Sequence, residues 1–137
     1  MANSTAMTYY EKEIRRIKKS CYANQHQLDT VIGTRRYIND HYDKALTLDH
    51  LSHKRFTSGF HLLRLFKRYY GQTPGQYLSA KRLEQSKHFL TRGYSVAESC
   101  YAVGFESACS FSTLFKSKFG ITPGAFQKKQ FSQRVQR

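Results

Sequence analysis

Acidic residues are scarce in this chain. Over 137 residues, 23 Lys and Arg stand against 9 Asp and Glu, for a formal net charge of +14. No acid occurs between His50 and Leu83, and none from Ser107 to Arg137. Only Glu84 and Glu98 fall between residues 50 and 105, which leaves little material for acid–base chemistry. No Ser/His/Asp set, paired carboxylates, phosphate loop or metal signature appears, so an enzyme is not expected. Cysteine is also sparse. Cys21, Cys100 and Cys109 are odd in number and no two have CxxC spacing. That pattern is neither a disulfide framework nor a zinc site, and it fits a reducing compartment. Long apolar runs and a signal peptide are missing, so no membrane anchor is expected. The six histidines show no ligand spacing, and no cofactor or metal is implied. No stretch alternates with period two over a useful length, which argues against strands.

What the chain does have is charge and repetition. The basic excess points to a polyanionic partner, or to a positively charged structural protein in a larger assembly. Residues 58–77 (SGFHLLRLFKRYYGQTPGQY) recur as residues 107–126 (SACSFSTLFKSKFGITPGAF). At an offset of 49 (116 − 67), eight of twenty positions are identical. Both prolines of the chain, Pro74 and Pro123, occupy the equivalent place. Two copies are too few for a solenoid and suggest two similar subdomains side by side.

Apolar residues spaced by three and four predict helices throughout. Tyr10, Ile14, Ile17 and Cys21 mark a basic amphipathic helix over about 9–22, broken at Asn24-Gln25-His26. A second helix is expected over 28–42, in which Gly33 costs about 1 kcal/mol relative to Ala. Thr47 and Ser95 cap short helices, and Ser58 and Ser107 cap longer ones. Leu62, Leu65, Phe66, Tyr69 and Tyr70 face inward in the first copy; Phe111, Leu114, Phe115 and Phe119 do so in the second. Gly71 and Gly120 end these helices, and Thr-Pro pairs open the next. One of those runs from Pro74 to about residue 92; the other reaches about Gln130, followed by a frayed tail. The fold class is all-α: two helix-turn-helix, three-helix subdomains of homeodomain-like type, joined by a long linker helix. About seven helices plus the N-terminal one are expected. The divisions fall at 1–26 (tail and amphipathic helix), 27–73 (first subdomain), 74–92 (linker helix) and 93–137 (second subdomain and basic tail).

In a helix-turn-helix, a first helix braces while the second presents its outer face to the major groove. The runs LRLFKRYYGQTPGQYL and VGFESACSFSTLFKSKFGITPGAF, with Arg82-Leu83 between them, resemble the DNA-binding domain of AraC/XylS-type bacterial transcription regulators. The resemblance covers roughly residues 30–130. It implies a sequence-specific regulator that places two recognition helices in adjacent major grooves of an asymmetric site. Carried over by position, Phe60, Leu63, Arg64, Ala108, Cys109, Ser112 and Thr113 would face bases. Ser58, His61, Lys67, Ser107 and Lys116 would face phosphates. Arg64 is the one outward residue suited to a bidentate guanine contact, worth ~1–3 kcal/mol of discrimination. Three departures stand out. Arg55-Phe56-Thr57 occupies the first turn without the usual glycine, Ser99 replaces an aliphatic residue, and the second recognition helix lacks an outward Arg or Gln.

The implied partners are double-stranded DNA, bound by a monomer, and RNA polymerase; the implied location is the cytoplasm, at the nucleoid. The alternative reading is a non-specific architectural nucleic-acid-binding protein. No effector domain lies within these residues, which fits either a single-domain regulator or a piece of a longer one. The stretch 9–22 is then either a packing helix or the remnant of an interdomain linker.

Overall fold

A computed structural model describes residues 8–135, which form seven helices and no strand. They are α1 (Tyr9–His41), α2 (Leu48–Lys54), α3 (Gly59–Tyr70), α4 (Pro74–Thr91), α5 (Val96–Ala102), α6 (Ala108–Phe119) and α7 (Pro123–Val135). The tail expected at residues 1–8 lies outside the described residues except for Thr8, which caps α1.

The start signals act as the sequence suggests. Thr47, Ser58, Thr73, Ser95 and Ser107 each accept a backbone N–H three residues on. Each bond satisfies one of the orphan donors at a helix N-terminus. Gly71 and Gly120 adopt left-handed φ values of 72° and 81° and close α3 and α6 identically.

Two expectations about helix ends are corrected. The predicted break at Asn24-Gln25-His26 does not exist, and α1 is one helix of 33 residues. Those residues are only weak helix breakers, and local bonds carry the helix through them. Gln25 donates to the Asp29 carboxylate at 3.0 Å, and Thr30 donates to the His26 carbonyl at 3.0 Å. At the other end, α7 does not stop near Gln130 but continues to Val135.

The buried apolar residues form three clusters, two in the first unit's core and one in the second's. Val31 and Ile38 of α1, Leu51 of α2, Leu62, Leu65 and Phe66 of α3, and Leu78 of α4 are buried in the first unit. Cys100, Val103, Phe105, Phe111 and Phe115 fill the second, with Leu83 and Leu90 of α4. Helix α4 therefore belongs to both units. Tyr70 and Phe119 pack at the edges of these cores as half-buried residues, and burial pushes the Cys100 thiol pKa up. Leu114 and Tyr69, expected inside, are 40% and 38% exposed.

Gly33 has a packing reason to be in α1. A methyl group there would collide with the Arg55 guanidinium, which lies against this turn of helix. The propensity cost of the glycine is offset by the access it gives Arg55.

Arg82 of α4 joins the two units. Its Nε donates to the Tyr42 carbonyl at 2.7 Å and its Nη2 to the Lys44 carbonyl at 2.8 Å, both in the segment that leaves α1. The same guanidinium lies 5.6 Å from the ring centroid of Phe105 in the second unit. Burial lowers the Arg82 pKa, while Glu106 and Asp43 act in the opposite sense.

Replacing Arg82 by Met leaves two carbonyls without their charged donor and should destabilise the fold by about 2–3 kcal/mol, from the usual worth of charged hydrogen bonds. Denaturant unfolding measures this, and Arg82→Lys should recover only part because an ammonium lacks the planar fork. Ser99 is buried and its hydroxyl has no hydrogen-bond partner among the described residues. Ser99→Ala should therefore stabilise the protein by about 1 kcal/mol in the same assay.

Candidate nucleic-acid interface

Each unit places its second helix, α3 or α6, with one stripe in the core and the opposite stripe exposed. On α3, Phe60 (83% exposed), His61, Arg64 and Lys67 are exposed, while Leu63 is half-buried. On α6, Cys109, Thr113 and Lys116 are exposed, while Ala108 and Ser112 are half-buried. Ala108 is less outward than expected, since it packs against the second core. No acid stands on either helix, so nothing on them repels a polyanion.

The local hydrogen bonds decide what these side chains can offer. The Ser58 and Ser107 hydroxyls already accept the His61 and Ser110 backbone N–H, at 3.1 and 3.3 Å. Their own O–H groups remain available to donate outward. The Thr113 hydroxyl donates back to the Cys109 carbonyl at 3.1 Å. Thr113 thus presents lone pairs and a methyl group rather than a donor. Arg64 makes no hydrogen bond or ion pair among the described residues, so its fork is free.

The two turns are alike in a way the offset of 49 concealed. Between the short-helix caps Thr47 and Ser95 the offset is 48 (95 − 47), but between Ser58 and Ser107 it is 49 (107 − 58). The turn geometry locates the difference. Thr57 N–H bonds the Ser52 carbonyl at 3.1 Å, as Phe105 N–H bonds the Cys100 carbonyl at 3.1 Å. Phe56 therefore occupies the place of Gly104, and both are left-handed, with φ values of 53° and 101°. Glu106 is the added residue of the second turn. Gly104 is needed twice over, because a Cβ there would also press on Arg82 and the Tyr42 carbonyl at 3.0 Å. Phe56 is tolerated because its side chain points into open solvent, 98% exposed. The signal in the sequence was the pair of short-helix caps, whose spacing differs by one from that of the long-helix caps.

Among the described residues no group of His, Cys, Asp and Glu could hold a metal ion. Nor, among those residues, is any helix long and apolar enough to cross a membrane.

Two helix-turn-helix units sharing one helix, each with an acid-free and exposed second helix, define a tandem helix-turn-helix fold of the nucleic-acid-binding class. A family model described as a helix-turn-helix domain matches residues 51–129. The chain is 31% identical over 87 residues to the probable transcription factor PqrA of Proteus vulgaris, covering 63% of this chain and 71% of that one. Longer curated relatives are matched over 37% and 44% of their own lengths. The C-terminal domain of the response regulator yesN from Fusobacterium nucleatum is 33% identical with a TM-score of 0.65, over 69% of this chain and 93% of that one. The DNA-binding domain of AdpA, described as a global transcriptional factor and solved with a target DNA, shares the fold. Its TM-score is 0.73 at 24% identity, over 80% of this chain and 99% of that one. The chain belongs to the AraC-type helix-turn-helix family, as its motifs suggest.

Phe56→Gly should relieve the left-handed strain and stabilise the fold by about 1 kcal/mol. Thermal or denaturant unfolding reads this directly. A loss of stability would mean that the backbone freedom glycine adds to the unfolded chain outweighs the strain it relieves.

Proposed function

We infer that the protein is a sequence-specific DNA-binding transcription regulator in which α3 and α6 enter adjacent major grooves of an asymmetric site. One observation carries the reading: the two units repeat their caps and cores but expose different residues. Phe60, Leu63 and Arg64 are replaced by Cys109, Ser112 and Thr113 at the corresponding positions of α6. A scaffold duplicated only to bind phosphates would have no need of two different faces. The shared helix α4, 18 residues or about 27 Å long, suits a pair of helices serving grooves roughly one turn of DNA apart.

In this reading Arg64 takes a guanine edge through its free fork. Ser58, Ser107, Lys67 and Lys116 hold phosphates, and His61 lies beside them at the start of α3. The second helix reads less. Thr113 offers only acceptors and a methyl, Cys109 is a weak donor, and Ala108 is partly withdrawn into the core. Specificity there rests on the shape of the DNA and on backbone contacts. One two-unit domain fills one site. RNA polymerase is the further partner that a regulator of transcription would meet. The architectural alternative finds its only support in the net charge.

Selection of bound duplexes from a random library, with salt titration of the preferred site, tests the reading. Arg64→Ala should cost about 1–3 kcal/mol and relax preference at one position. Lys67→Ala should weaken all sequences evenly and lower the salt slope by about 1. Thr113→Ala should change base preference little. A specific-to-nonspecific ratio near one, against the ~10³–10⁷ of specific regulators, would favour the architectural role.

A further inference from the structure

The N-terminal half of α1 carries an apolar stripe that no part of the described chain covers. The buried residues of α1 are Thr30, Val31, Thr34 and Ile38, none of them before Thr30. Before Thr30, every residue from Tyr9 on is exposed except Glu13 and Gln27, which are half-buried. Ile14 and Ile17 are 49% and 55% exposed, and Tyr10 is 76%.

The stripe is not the domain-facing side of α1 carried further along the helix. At 100° per residue, Tyr10, Ile14, Ile17, Cys21, Asn24 and Leu28 share an arc of about 80°. Its centre is turned about 100° from the mean direction of the four buried residues. The spacing along the stripe is 4, 3, 4, 3 and 4 residues, the a/d rhythm of a coiled-coil seam. Charge is arranged to suit that seam. Lys12, Arg15, Arg16 and Lys19 all fall on the far side. The flanking charges are Glu11 and Lys18 on one edge and Glu13 on the other. In a parallel pair in register, Glu13 of one helix faces Lys18 of its partner, and the two-fold axis makes this contact twice. Among the described residues Glu13 is otherwise held only by Arg16 of its own helix at 2.8 Å, a pair open to solvent on the Arg16 side and of small worth.

We propose that the protein forms a parallel homodimer through Tyr10–Leu28 of α1, with Ile14, Ile17 and Leu28 as its apolar layers and Glu13–Lys18 pairs across its edges. Asn24 places one polar layer in the seam, which sets register at some loss of stability. The domains attach about 100° away from the seam and so leave to opposite sides of the pair. A seam of about three heptads binds weakly by itself. Its effect grows on DNA, where each bound copy holds its partner at a high effective concentration. The dimer joins two two-unit domains and leaves each free to bind its own site. The association concerns α1 alone and stands whether or not the DNA reading holds; only its effect on DNA rests on that reading.

The full chain under reducing conditions should show a mass that rises from one copy to two with concentration in light scattering or sedimentation. The double variant Ile14→Asp/Ile17→Asp should raise the dimer Kd by about tenfold or more, as for loss of a central interface anchor. The unfolding transition of the two-unit domain and its single-site DNA binding should stay unchanged, since neither residue packs on the domain. Glu13→Lys should weaken association, and Glu13→Lys/Lys18→Glu should restore it. In a Cys109→Ser background, diamide removes two electrons and two protons from paired Cys21 thiols and leaves a Cys21–Cys21 disulfide. Its formation should slow about tenfold in the Ile14/Ile17 double variant, because Cα atoms must lie within about 7 Å for the bridge to close. A single-copy mass at every concentration, or association indifferent to Ile14 and Ile17, overturns the proposal. Failure of the charge reversal to restore association overturns the parallel register.

Discussion

The Arg82 guanidinium is the contact on which the arrangement of the two units depends. It sits on α4, the helix both units share, and donates to two carbonyls of the first unit while lying over Phe105 of the second. Each partner is one that a guanidinium suits and few other groups do. Two carbonyls in different directions need a planar fork, and an aromatic face accepts a weakly hydrated cation. Gly104 permits this approach, because any Cβ would stand in the way. The turn glycine of the second unit thus serves the junction as well as its own backbone.

Other contacts on α4 tighten the same geometry. The Tyr77 hydroxyl donates to the Asn39 side-chain carbonyl at 2.8 Å and ties α4 to α1. Gln127 donates to the Leu90 and Tyr94 carbonyls at 3.0 and 2.6 Å and ties α7 to the end of α4. Lys87 lies 4.1 Å above the Phe119 ring. These contacts position α3 and α6 but leave their outer faces untouched. Residues that hold the fold and residues that face outward are therefore almost separate sets. Thr113 is an exception, since its own helix takes the one proton it could have donated. Ala108 is another, because the core claims part of it.

Much of this was legible in the amino-acid order. The caps Thr47, Ser58, Thr73, Ser95 and Ser107 act through bonds spanning three residues, so local sequence suffices to find them. Gly71 and Gly120 mark helix ends for a similarly local reason. The missed features depend on more distant partners or on cooperativity. The continuity of α1 through Asn24-Gln25-His26 is one: weak breakers lose to the side-chain bonds that join Gln25 to Asp29 and Thr30 to His26. The exposure of Leu114 is another, because period alone gives the direction of a side chain and not whether anything stands opposite. The extra residue Glu106 was hidden by an alignment anchored on the stronger half of each repeat.

By itself the sequence determined the all-α class, the duplicated unit and the basic, acid-free character of the two outward helices. Those follow from spacing, capping and charge, which are properties of neighbours along the chain. Only the tertiary structure decided that Phe56 and Gly104 hold equivalent left-handed positions, since that equivalence lies in backbone bonds across a turn. Only it placed Arg82 between the units, because the Tyr42 and Lys44 carbonyls are about forty residues away in the chain. And only it separated the two faces of α1, one closed against the first unit and one open, because burial depends on what the rest of the chain brings to each side.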